Sequence, residues 1–136
     1  MSVLAICDEL AAIIEPDPTL RNDARARPRE YGEDTLYVWP LREWFTPEDT
    51  GGNDLDQFAI AVAWAEERMA EGDEPSREVS DAIAGRADAV GVALRAHRGG
   101  ATYENAQLVS IDYEALYGFD VRGFIATVQG WIQRTD

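Results

Sequence analysis

Gln57-Phe-Ala-Ile-Ala-Val-Ala-Trp-Ala65 alternates large and small side chains without interruption, with Phe58, Ile60, Val62 and Trp64 on one side and Ala59, Ala61, Ala63 and Ala65 on the other. A period of two marks a β-strand, because successive side chains leave opposite faces of a sheet. Immediately upstream, Leu36-Tyr-Val-Trp-Pro-Leu-Arg-Glu-Trp-Phe45 is aromatic and β-branched and reads as a second strand. The residues between them, 46–56, are rich in turn formers and acids, so the two runs are expected to form an antiparallel hairpin with a long exposed connection. Pro40 has no amide to donate and places its strand at an edge or at a break.

On the N-terminal side, Val3, Ile6, Leu10, Ile13 and Ile14 follow helical spacing after Ser2, and Pro16 and Pro18 end the run. Residues 19–33 are polar, arginine-rich and punctuated by Pro28 and Gly32, which predicts a loop or arm. On the C-terminal side, a helix begins around Asp73-Glu-Pro-Ser-Arg77, with proline in its first turn. Val79, Ile83, Val90 and Leu94 form its apolar stripe, and Gly99-Gly100 closes it. Two more strands are expected over about 106–115 and 121–133. The order α-β-β-α-β-β over a single domain, 1–136, predicts an α+β fold: an antiparallel sheet of about four strands with helices on one face.

Composition narrows the function. Twelve basic against twenty-six acidic residues give a net charge of −14, a field that repels nucleic-acid phosphates. All the basic residues are arginine, a bias expected of a GC-rich genome. No stretch reaches the ~20 apolar residues of a membrane span, and the first residues lack the basic start of a secretory signal. Cys7 and His97 are the only residues of their kinds, which speaks against a disulfide framework, a zinc cage or a Cys–His dyad.

Few groupings suggest chemistry. Glu48, Asp49, Asp54 and Asp56 beside Gly51-Gly52 offer oxygen ligands but miss the EF-hand spacing, so a solvated or partner-contacting loop is the simpler reading. Asp112 and Glu114 share a strand face at i, i+2, as polar residues on an open sheet face also do. His97 suits the end of a helix dipole, and no phosphate-binding glycine loop or nucleophile elbow is present. No catalytic, cofactor or metal site is therefore assigned. Two features suit an interface instead. Arg21, Arg25, Arg27 and Arg29 form the one basic cluster, either solvated or in contact with an acidic partner or neighbouring subunit. Of the four tryptophans, Trp64 and Trp131 read as core, whereas Trp44 and Phe45 at the mouth of the acidic loop either fold back or anchor a contact.

The element order, together with the segments 36–52, 56–67, 76–83 and 123–130, resembles the tail terminator proteins of long-tailed phages, especially phages of high-GC actinobacteria. The resemblance implies a virion protein assembled in the host cytoplasm. It implies a homohexameric ring on the last ring of the tail tube protein, stopping tube growth and meeting the head-side connector or stopper protein. DNA would cross the lumen without specific binding, and neither membrane nor enzymatic activity is implied. On this view Arg21 to Arg29 and the 46–56 loop contribute to ring or tube contacts. Another head–tail neck component fits the same composition. An acidic inhibitor of a basic nuclease would also explain the charge.

Overall fold

The computed structural model describes residues 2–44, 55–70 and 76–133. Its elements are α1 (Val3–Ile14), β1 (Arg21–Asn22), β2 (Thr35–Trp44), β3 (Leu55–Arg68), α2 (Arg77–Ala96), β4 (Glu104–Asp112) and β5 (Val121–Gln133). The fold is α+β, built on one five-stranded sheet of order β1-β2-β3-β5-β4. β2, β3, β5 and β4 pair antiparallel, as expected, but β1 lies parallel to β2 and makes the sheet mixed. This fifth strand, two residues within the segment expected to be a loop or arm, has no alternation to read. It exists through backbone pairing of Arg21 with Leu36 and Asn22 with Tyr37.

β3 is central and its two faces differ. Phe58, Ile60, Val62 and Trp64 point to the helix face, where they join Ile6, Cys7 and Leu10 of α1, Ile83, Ala87, Val90 and Leu94 of α2, and Phe124, Ala126 and Val128 of β5. Full burial of an aliphatic or phenyl side chain stabilises by roughly 1.5–3 kcal/mol, so this layer dominates the apolar contribution. On the opposite face Ala61, Ala63 and Ala65 pack with Tyr37 and Trp39 of β2, and Tyr31 and Leu116 close over them. Small residues on the central strand make room for the broad rings of its neighbour. Trp64 is core as expected, but Trp131 is only partly buried: it stands opposite Gln57, beyond the end of the alanine row.

Local signals explain the helix ends. The Ser2 and Ser76 side chains accept from the amides of Ala5 and Val79. Ser76 is the cap of α2, so the helix starts after the proline-containing segment rather than with proline in its first turn. At the other end the His97 amide bonds the Ala93 carbonyl, and the Tyr103 hydroxyl donates to the His97 carbonyl at 2.6 Å. Glu9 ties α1 to the loop before β4: its carboxylate accepts from the amides of Ala101 and Thr102 at 3.0 and 3.1 Å. β4 ends at Asp112, so Asp112 and Glu114 do not share a strand; the Asp112 carboxylate instead accepts the Glu114 amide at 2.9 Å.

The helices are locked to the sheet by a polar bridge. Arg86 pairs with Glu15 at 2.7 Å while its guanidinium lies 4.1 Å from the centre of the Trp64 ring, and the Trp64 indole donates to Glu66 at 2.5 Å. Arg122, the one buried charged residue among the described residues, donates to the Ser80 hydroxyl at 3.1 Å.

Gly123 faces the carbonyl of Trp64 so closely that a Cβ would collide with backbone. Gly123→Ala is expected to destabilise the fold by about 3 kcal/mol, read as a lower denaturation midpoint with unchanged slope. Burial pushes the Cys7 thiol up to about 12. The native thiol should therefore resist a neutral thiol reagent and react only on unfolding. Because the folded value is raised, its stabilising contribution is complete below about pH 9 and lost as pH climbs toward 12, a decline that Cys7→Ala should reduce.

Candidate functional site

The arginine cluster divides into two pairs. Arg21 is half-buried in β1, and the Arg25 guanidinium bonds Asp8 of α1 at 3.1 Å. Both line a depression of about 350 Å³ with Asp8, Ala11 and Asp23. Arg25 sits at φ 53°, a left-handed conformation that turns the chain so its side chain reaches back to the helix. Arg27 and Arg29 are exposed and have no ion pair among the described residues. The arm ends on an aromatic anchor. Tyr31 is buried and meets Tyr37 and Phe119 edge to face at 5.1 and 5.0 Å, and the Gly32 amide donates to the Tyr37 hydroxyl at 2.7 Å. Desolvation is the main cause that pushes the Tyr31 hydroxyl above its ordinary value. Arg25 thus braces the arm against α1, the half-buried Arg21 has a buried Nε without a hydrogen-bond partner, and Arg27 and Arg29 face outward.

The other interface candidates surround the β2–β3 connection. Trp44 ends β2 opposite Gln57, and Asp56 lies in β3 opposite Ile132. Phe45, Glu48, Asp49 and Asp54 lie outside the described residues, as does the side chain of Trp44.

Both outer edges of the sheet are irregular. β1 covers only Leu36 and Tyr37; beyond them β2 has no outer strand partner among the described residues. Pro40 sits at this edge, as its missing amide requires, and the register then slips so that Leu41 bulges out, 52% exposed. On the far edge the β4 register slips between Leu108 and Ser110, and Val109 is 54% exposed. Bulges and proline discourage open-ended strand addition, while each bulge presents one aliphatic side chain.

A groove of about 370 Å³ runs between α2 and β4, lined by Gly91, Leu94, Arg95, Arg98, Ala106 and Leu108, with Gln107 beside them. The sequence carries no charge pattern that marks this groove. The available signal was Gly91, a glycine inside the apolar stripe of a helix, where close approach of another element is the usual reason. Among the described residues, no group of three or more His, Cys, Asp or Glu is placed to hold a metal ion, and no helix is long and apolar enough to cross a membrane.

The chain matches no family model, and no curated protein shows significant similarity to it.

Charge reversal separates the two arginine pairs. Arg27→Glu with Arg29→Glu should leave the unfolding free energy within about 0.5 kcal/mol of wild type in a denaturant titration, as exposed residues with no ion pair among the described residues do. Arg25→Glu sets a carboxylate against Asp8 and should cost roughly 0.5–1 kcal/mol of stability in the same denaturation assay.

Proposed function

We propose that this protein is a structural subunit of a phage tail. It forms a ring, with six copies, that caps the head-proximal end of the tail tube, stops tube growth and joins the tail to the head-side connector. The observation that carries this reading is a pair of exposed aliphatic residues on opposite flanks of one sheet: Leu41 at the bulge of β2, beyond the short β1, and Val109 at the bulge of β4. Two different patches on opposite flanks are what a head-to-tail interface needs, and a ring results when the rotation between neighbours closes. A subunit that joined copies through two-fold symmetry would need only one self-complementary patch.

Charge and the sequence resemblance support the same reading. A surplus of fourteen negative charges suits a passage through which DNA moves without adhering. Of the four segments that carry the resemblance to tail terminators, 36–52, 56–67, 76–83 and 123–130, the first two cover most of strands β2 and β3.

Native mass spectrometry and negative-stain imaging, alone and with the cognate tail tube protein, test the proposal. Six-fold rings, or density capping tube ends, are expected. A protein that stays monomeric at every concentration and leaves tube ends bare would overturn it.

A further inference from the structure

Arg95 and Arg98 open onto the groove between α2 and β4, whose volume of about 370 Å³ lies in the ~300–1,000 Å³ range of ligand clefts. Neither arginine has an ion pair among the described residues, in a chain of net charge −14. The Arg95 guanidinium folds back along its own helix. It lies beside Gly91, one turn earlier, 3.5 Å from where a Cβ would stand, and a Leu108 methyl lies 3.9 Å from the same point. The cation and the β4 side chain thus share the space that the glycine leaves open. Gly91 and Ala106 are buried and carry little or no side chain, which keeps the floor low, and Leu94 and Leu108 supply apolar flanks.

The backbone that carries these cations is already fixed. The Arg98 carbonyl accepts the Ala106 amide at 2.8 Å, and the Gly100 amide donates to the Tyr103 carbonyl at 3.0 Å. The Tyr103 hydroxyl holds the His97 carbonyl, and Glu9 holds the amides of Ala101 and Thr102. A ligand would therefore meet two positioned guanidiniums without first having to order the loop beneath them.

Guanidinium forks bind carboxylates in two-point hydrogen bonds, and the leucine flanks can cover the aliphatic stems of acidic side chains. A helix is about 10–12 Å across, too broad for a trough between one helix and the strand beside it, which leaves an extended chain. Duplex nucleic acid fits poorly, because its dense phosphates meet the repulsive field of the whole molecule. A short acidic segment instead sets its few charges directly on the two arginines, well inside the ~8–10 Å over which charges act at ordinary salt.

We infer that the α2–β4 groove is a docking site for an extended acidic segment of another protein, held by Arg95 and Arg98. Every residue of the site belongs to one subunit, so it is complete in a monomer and stands apart from the ring reading above.

Fluorescence anisotropy of a labelled glutamate hexapeptide, titrated onto the full chain beside a glutamine hexapeptide, tests the site. Wild type should bind the acidic peptide at least about tenfold more tightly than the neutral one. Arg95→Glu/Arg98→Glu should weaken that binding about tenfold or more, whereas Arg77→Glu, a reversal at the exposed start of the same helix, should change it by less than about twofold. Gly91→Leu retains both arginines but fills the floor, and should also weaken binding about tenfold. Circular dichroism checks each fold; should Gly91→Leu not fold, the two exposed arginines decide the case. Absence of peptide binding, or an equal loss in Arg77→Glu, would overturn the inference. So would a duplex oligonucleotide that displaces the peptide and itself fails to bind the arginine variant, which would give the groove to nucleic acid. Self-association that the acidic peptide abolishes and the arginine variant lacks would give it to a second copy and overturn the inference equally.

Discussion

Everything in this molecule is arranged around the middle of one strand, residues 58–65 of β3, which is buried on both faces. β3 is paired on both edges and this stretch is covered on both faces, so residues 58–65 are apolar throughout while their two sides meet different neighbours; the polar residues of the strand, Asp56, Gln57, Glu66, Glu67 and Arg68, lie at its ends. The solution is asymmetric volume. Phe58, Ile60, Val62 and Trp64 fill the deep layer beneath the helices, and the alanines opposite them admit the flat rings of Tyr37 and Trp39. Interiors pack at close to crystal density, so enlarging an alanine on this strand displaces an aromatic rather than filling a void.

The placement of cations follows a similar division. Arg86, Arg122 and Arg25 hold elements together inside the subunit: one bridges α1 to Trp64, one ties β5 to α2, and one fixes the arm to α1. Arg27, Arg29, Arg95 and Arg98 have no ion pair among the described residues. With so large an acidic excess, outward guanidiniums are sites where a second negatively charged surface is attracted rather than repelled. That gives the proposed ring two kinds of recognition element at low cost in subunit stability, since exposed charges contribute little to folding.

Much of the fold was legible because periodicity is local. The 57–65 alternation, the helical stripe of Val79, Ile83, Val90 and Leu94, and the two prolines after Ile14 each act within a few residues, and the corresponding elements are where those signals put them. What escaped was nonlocal. β1 is held by backbone pairing across an irregular connection, and no side-chain pattern in Arg21-Asn22 announces it. Trp131 alternates like a core residue, yet its burial depends on what lies above the end of the sheet. The site divided in the same way. The arginine cluster was visible as composition, but the engagement of Arg25 by Asp8 and the meeting of Arg95 and Arg98 with β4 depend on how distant segments come together.

The central position of β5 between β3 and β4 also sets the order in which the chain can organise itself. The β2–β3 and β4–β5 hairpins join neighbours in sequence, whereas Leu55 must find Gln133 and Arg68 must find Val121, with the whole of α2 in between. Closing so large a loop has an entropic cost before any contact compensates for it, and nonlocal pairing of this kind slows folding. The seam between β3 and β5 is therefore expected to be the late, rate-limiting join of two locally formed halves. Until it closes, the alternating apolar face of β3 is uncovered, so the interval before closure is the subunit's period of greatest exposure to self-aggregation.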